Sequence, residues 1–201
     1  VEDFAPFNIT VTTDRAVYDA ADPEQRLHAI ITPTDDAQPG SGGVAWLGSY
    51  QNSLSRIVWI YRLDEYFCAS TISHEAGHAF GLNHDGPGAA PFVDYYGGHN
   101  SGYTPGWAPI MGAFENDQPG EVLLDEVDQW SRGEYTDANN QEDDVAIIGG
   151  GGNGFGFKAD DYADTFDGLG GQTVGGLNLS DVHDFGGGDF RFRISIPAGS
   201  V

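Results

Sequence analysis

Residues 74–85 read His-Glu-Ala-Gly-His-Ala-Phe-Gly-Leu-Asn-His-Asp, and this stretch constrains the chain more than any other. On a helix, His74 and His78 stand one turn apart, so both imidazoles project from one face. Two ligands of a tetrahedral zinc need that placement. Gly81 lets the chain leave the helix through a conformation that a side chain resists, and the turn brings His84 within reach of the same metal. Three protein ligands leave a fourth position open for water, the mark of a catalytic rather than a structural zinc. Glu75 follows the first ligand and is placed to accept a proton from that water. With six histidines in the chain, the full string arises by chance in about a few of a hundred thousand such sequences, which sets aside a surface helix of solvated histidines. A purely structural site would close with a fourth Cys or His, and His28, His99 and His183 stand in no ligand spacing.

The 201 residues suit one substantial domain, or one domain and a small appendage, and 39% hydrophobic content is enough for a core. Acidic residues outnumber basic ones 31 to 8, for a formal charge of -23. Such a surface repels nucleic acid and anionic membranes, so neither is expected as a partner. It also offers possible calcium ligands: Asp125, Glu126 and Asp128, then Asp143 and Asp144, then Asp160 and Asp161. None has EF-hand spacing, and a solvated acidic surface is the plainer reading. No apolar run is long enough to cross a bilayer. Cys68 is the one cysteine, so no intrachain disulfide forms and the thiol is expected to pack as a small apolar residue. A start at Val1 without a signal-like stretch suggests a mature, secreted product; a monomer is expected.

Along the chain, residues 9–13 alternate and predict a strand, as do 27–32 and 44–50; 56–63 carries the strongest strand pattern. Asp64 is placed to cap a helix over 65–80. Residues 85–120 are rich in Gly, Pro, Asn and aromatics and predict a long irregular segment. Val122, Leu123, Val127 and Trp130 predict a helix over 121–132, while 141–148 fits either a short helix or a strand. The glycine-rich run 149–156 reads as a linker between a catalytic domain, 1–150, and a β-rich C-terminal segment, 157–201, in which 189–197 alternate as a strand.

His-Glu-x-x-His-x-x-Gly-x-x-His is the zinc signature of the metzincin metallopeptidases, and the chain resembles that superfamily. The lone methionine, Met111, lies in Pro109-Ile110-Met111-Gly112, 27 positions beyond His84, where the resemblance places a methionine turn beneath the metal. Asp85 resembles the reprolysin or adamalysin branch. Glu2-Asp3-Phe4-Ala5-Pro6-Phe7 and Trp130-Ser131-Arg132-Gly133-Glu134-Tyr135 resemble secreted bacterial reprolysin-like peptidases. The resemblance implies an α+β, zincin-like fold: a twisted mixed sheet with the active-site helix beneath it and a loop-rich lower half. It departs from the astacin and serralysin branches at Ala113, where those carry a tyrosine ligand, and from animal reprolysins in having a single cysteine. Residues 157–201 resemble the start of a pre-peptidase C-terminal domain but are too short for a complete one.

These features imply a zinc endopeptidase acting on extracellular proteins, with His74, His78 and His84 as zinc ligands and Glu75 as general base. An edge strand through Val44, Ala45, Trp46 and Leu47 is expected to align the substrate backbone. By family analogy Ile110, Ala113 and Phe114 form part of the pocket for the side chain after the scissile bond. The aromatic residues Tyr95, Tyr96, Tyr103 and Trp107, with His99, either pack the lower half or line the cleft. The competing readings are a non-catalytic adhesion module that kept a zinc fold, and a zinc hydrolase of non-peptide amides.

Overall fold

The computed structural model describes residues 2–52, 55–88, 95–98, 106–112, 126–150 and 152–159, together with four short strands beyond them. The chain divides into two compact units, Val1–Lys158 and Ala159–Val201. The first is α+β. Its upper sheet holds β1 (His28–Ile31), β2 (Gly43–Val44) and β3 (Ile57–Ile60) in the order β1-β3-β2. β1 runs parallel to β3 from His28↔Ile57 to Ile31↔Ile60, and β2 runs antiparallel to it with Gly43 opposite Ile60. Two short helices precede the long one: α1 (Arg15–Ala20), capped by Asp14, and α2 (Ser49–Asn52).

The long helix α3 (Glu65–Phe80) has the bounds expected from the sequence. Asp64 accepts the Phe67 N–H at 3.0 Å, satisfying a donor that the first turn leaves open. At the other end Gly81 takes φ +108°; its N–H reaches the His78 carbonyl and the Leu82 N–H that of Gly77. That paired closure is the Schellman motif, and it needs a residue tolerant of left-handed φ at position 81. Ile72 and Ala79, with half-buried Cys68, pack against Val58 and Ile60 of β3. On another side Ala76 and Phe80 join Phe4, Phe7, Leu82, Ile110, Met111 and Ile148 in the main core. Each large apolar side chain so buried contributes about 1.5–3 kcal/mol, so α3 is gripped by the sheet above and by a second core below.

Below the helix, β4 (Gly106–Pro109) pairs in parallel with β5 (Glu126–Gln129). The helix expected over 121–132 is not formed in its described part, which holds strand β5 instead: Val127 is exposed and Trp107 lies opposite it across the ladder, so pairing with β4 overrides the helical spacing. Residues 9–13 form no strand, and 45–48 leave the strand geometry after Val44, where Gly48 turns at φ +65° and donates its N–H to the His78 carbonyl. The segment 141–148 resolves as helix α4 (Asp144–Gly149). The glycine run 149–156, read as a linker, lies inside the first unit. Asn153 is buried and donates to the carbonyls of Phe80 and Ile147, and the Phe155 ring lies 5.1 Å from Phe80. In the second unit β6 (Thr173–Val174) pairs antiparallel with β7 (Leu177–Asn178), and β8 (Val182–Asp184) with β9 (Phe190–Phe192). No described helix is long and apolar enough to cross a membrane.

One buried carboxyl makes the first unit sensitive to pH. Asp143 caps α4 through the Ala146 N–H, whereas Asp144 is fully buried. One Asp144 oxygen accepts the Ser131 N–H at 2.9 Å, and the other has no hydrogen-bond partner among the described residues. Burial pushes this carboxyl up to about 8; the Ser131 N–H opposes that shift, and Asp85 and Glu142 add to it. The folded state therefore holds a proton that an unfolded aspartate releases near about 4. Stability is unaffected below that value, falls as pH rises from about 4 to about 8, and levels off above. Thermal melts of wild type and Asp144→Asn from pH 5 to 8 should show a markedly shallower loss of Tm in the variant; equal slopes would contradict this account.

Candidate active site

Helix α3 carries His74 and His78 one turn apart, and the Gly81 turn returns His84 to them. One ligand nitrogen from each lies within 4.8 Å of the other two, and among the described residues no other group of three or more His, Cys, Asp or Glu meets that condition. The ring centroids stand 4.8 Å apart for His74 and His78, 4.6 Å for His78 and His84, and 5.2 Å for His74 and His84.

Backbone carbonyls fix how two of these rings present themselves. His74 Nδ1 lies 2.8 Å from the Ile110 carbonyl, and His78 Nδ1 lies 2.8 Å from that of Leu82. A carbonyl only accepts, so each Nδ1 carries the hydrogen and each Nε2 keeps a free lone pair. His78 Nε2 faces His84 Nε2 at 2.8 Å. That is hydrogen-bond distance, so the three rings converge tightly, and neutral imidazoles backed by carbonyls are the donor set that zinc takes. Burial pulls His74 down to about 3, with its neighbour His78 adding to the effect, and lowers His78 as well. Both shifts favour the neutral ring that metal ligation requires. The cluster fits a zinc site.

Glu75 is buried at 6% exposure, and burial alone pushes its carboxyl up to about 7. It lies against β2: a Cβ built on Gly43 would stand 2.8 Å from Glu75 Oε1 and 2.7 Å from the Trp59 carbonyl. Glycine at 43 is what admits the carboxylate beside the strand.

The turn around Met111 ties both ends of the motif together. The Gly112 N–H closes on the Pro109 carbonyl at 2.9 Å, the Ile110 carbonyl serves His74, and the Met111 carbonyl accepts the Asp85 N–H at 2.9 Å. Met111 is fully buried, and its sulfur occupies the space a Cβ at Gly77 would need. Asp85 is buried as well; burial raises its carboxyl, against the hydrogen bond from the Ser131 hydroxyl at 2.5 Å.

The expected substrate residues divide. Val44 sits on β2 at the sheet edge, Ala45 is half-buried, and Trp46 and Leu47 are exposed in the turn that follows. Ile110 departs from expectation: its side chain is 2% exposed in the main core, and its carbonyl rather than its side chain serves the site. Ala113 and Phe114 lie outside the described residues, as do His99 and Tyr103. Tyr95 approaches the ligands, its ring 4.4 Å from His84 and 6.0 Å from His74. Tyr96 instead stacks on Tyr135 at 4.3 Å. The acidic calcium candidates form no cage among the described residues: Asp143 caps a helix, Asp144 is bound to Ser131, Glu126 and Asp128 lie on β5, and Asp125, Asp160 and Asp161 fall outside. Sequence reasoning missed Gly43, Asp3 and Ser131, whose partners are distant in the chain. Only the two short stretches around residues 2–7 and 130–135 hinted at the last two.

Residues 8–85 match a family model described as metallo-peptidase family M12B, reprolysin-like. No curated protein and no solved structure matches the chain. The matched stretch runs through the sheet and α3 and ends on Asp85, so it contains Glu75 and all three converging histidines. Over these residues the chain is similar to reprolysin-like metallopeptidases, a match that supports a zinc metallopeptidase.

Proposed function

We propose that the protein is a secreted endopeptidase cleaving extracellular proteins, in which His74, His78 and His84 hold one zinc and Glu75 is the general base. The observation that carries this reading is the convergence of three imidazoles, two with Nε2 freed by a carbonyl behind Nδ1, beside a buried carboxyl. A zinc held there supplies a Lewis acid that activates water and polarises the scissile carbonyl. Glu75, raised to about 7 by burial, is matched to taking a proton from water and returning it to the departing amine near neutrality. β2 lies at an edge of the upper sheet, and its backbone is suited to align an extended peptide by strand addition. Exposed Trp46 and Leu47 follow that edge and offer apolar surface to substrate side chains. An extended substrate lying along a strand favours a peptide over a small amide.

Cleavage of unfolded casein, followed by mass spectrometry, tests this reading. Glu75→Gln should keep its zinc, measured by atomic absorption, and lose about 10²–10⁴-fold in kcat. Full activity in that variant would remove Glu75 from its role.

Gly43→Ala probes the same carboxylate from the strand side. The added methyl has no room between Glu75 Oε1 and the Trp59 carbonyl, so the carboxylate must move. We expect kcat to fall about tenfold or more with zinc content unchanged. Wild-type turnover by this variant would show that the carboxylate's position against β2 does not matter.

A further inference from the structure

Ser70, Ser73, Gly77 and Phe80 fall at steps of three, four and three on α3 and form one stripe along it. At its lower end Phe80 meets the Phe4 ring, centroids 6.2 Å apart, and Gly77 leaves room for Met111 and Trp130. The upper end carries two hydroxyls, unusual on a helix face turned to the interior. Each meets a carboxyl from a different segment. Ser73, 3% exposed, donates to Asp3 Oδ2 at 2.5 Å, and Ser70 opposes the burial-driven rise of the Asp128 carboxyl on β5. Asp3 is itself held, since its carbonyl accepts the Trp130 indole N–H at 2.6 Å, and the neighbouring Phe4 ring lies 5.7 Å from that of Trp130. The two stretches that the zinc chemistry left unused, 2–7 and 130–135, thus meet on α3 at the residue before His74.

We propose that Asp3, acting through Ser73 and supported by Trp130, is a positioning residue for the peptidase reaction: the segment 2–7 sets the rotation of the helix that presents His74 and Glu75. The proposal rests on the peptidase reading above. Its physical basis is directional. The sheet side of α3 offers Cys68, Ile72 and Ala79, apolar groups that resist separation but set no sharp angle. The C-terminal end is pinned by Asn153 on the Phe80 carbonyl and by the Gly48 N–H on that of His78. At the other end of the site, the charge-assisted bond between Ser73 and Asp3 supplies the matching directional contact. A small rotation about the helix axis displaces His74 and Glu75 together, because both directly follow Ser73. Reaction rates are steep in such displacements.

The test is a double-mutant cycle on kcat, with Tm and the visible spectrum of the cobalt-substituted protein recorded alongside. Asp3→Ala and Ser73→Ala should each lower kcat about tenfold with KM changed less than about twofold, and each should alter the cobalt bands. The double variant should be no worse than either single one. Asp3→Asn, whose amide oxygen still accepts from Ser73, should stay within about twofold of wild type. Losses that multiply in the double variant, or a lower Tm with kcat intact, overturn the proposal. If Asp3→Ala does not fold, Ser73→Ala and Asp3→Asn decide it by the same criteria. Should the wild type bind cobalt yet cleave no peptide, the peptidase reading has failed instead. The cobalt spectrum then judges positioning alone, and identical bands in wild type and Ser73→Ala reject it.

Discussion

A carbonyl behind the imidazole holds the candidate zinc site together. His74 and His78 each give the Nδ1 hydrogen to a backbone oxygen, from Ile110 and Leu82, and so present an unprotonated Nε2. The first carbonyl comes from the turn that contains Met111, and the second from the residue just past the Gly81 turn. Neither would be in place without packing well away from the metal. Met111 is seated by the glycine at 77, and the Gly81 turn is closed by the Schellman bonds. The tautomer of each imidazole is therefore a consequence of the fold.

The same dependence explains why glycine recurs at critical places. Gly77 admits Met111, Gly43 admits Glu75, and Gly81 supplies a left-handed φ. The first two are matters of space and the third of backbone conformation. In each case a side chain is absent so that a functional group elsewhere can stand where the chemistry needs it. The acidic excess behaves differently. Among the described residues most carboxylates are solvated, but Glu75, Asp85 and Asp144 are buried, each raised by loss of water. Buried carboxyls of this kind cost stability, and two of the three lie within or beside the zinc motif.

Local signals were readable from the sequence, and distant ones were not. The bounds of α3, its Asp64 cap and the Gly81 exit follow from residues within a few positions of one another. The convergence of His84 on His74 and His78 follows from that same exit. Strand β5 did not follow, because Val127 and Trp130 mimic helical spacing and the deciding contact is a ladder to β4, about twenty residues away. The glycine run 149–156 suggested a linker, and only the partners of Asn153, up to 102 positions distant at Gln51, reveal it as part of the core. Ile110 was legible as a site residue but for the wrong atoms: its carbonyl, not its side chain, is what the site uses. Asp3 stands 70 positions from Ser73, beyond the reach of any local pattern.

The central claim is a single zinc held by three imidazoles with one position left for water, and X-ray absorption at the zinc edge measures it most directly. The account predicts one zinc per chain with three nitrogen neighbours and one oxygen at about 2.0–2.2 Å, the oxygen replaced when a hydroxamate is added. A closed shell of four protein ligands that a hydroxamate leaves unchanged, or no zinc retained by the folded chain, would contradict it.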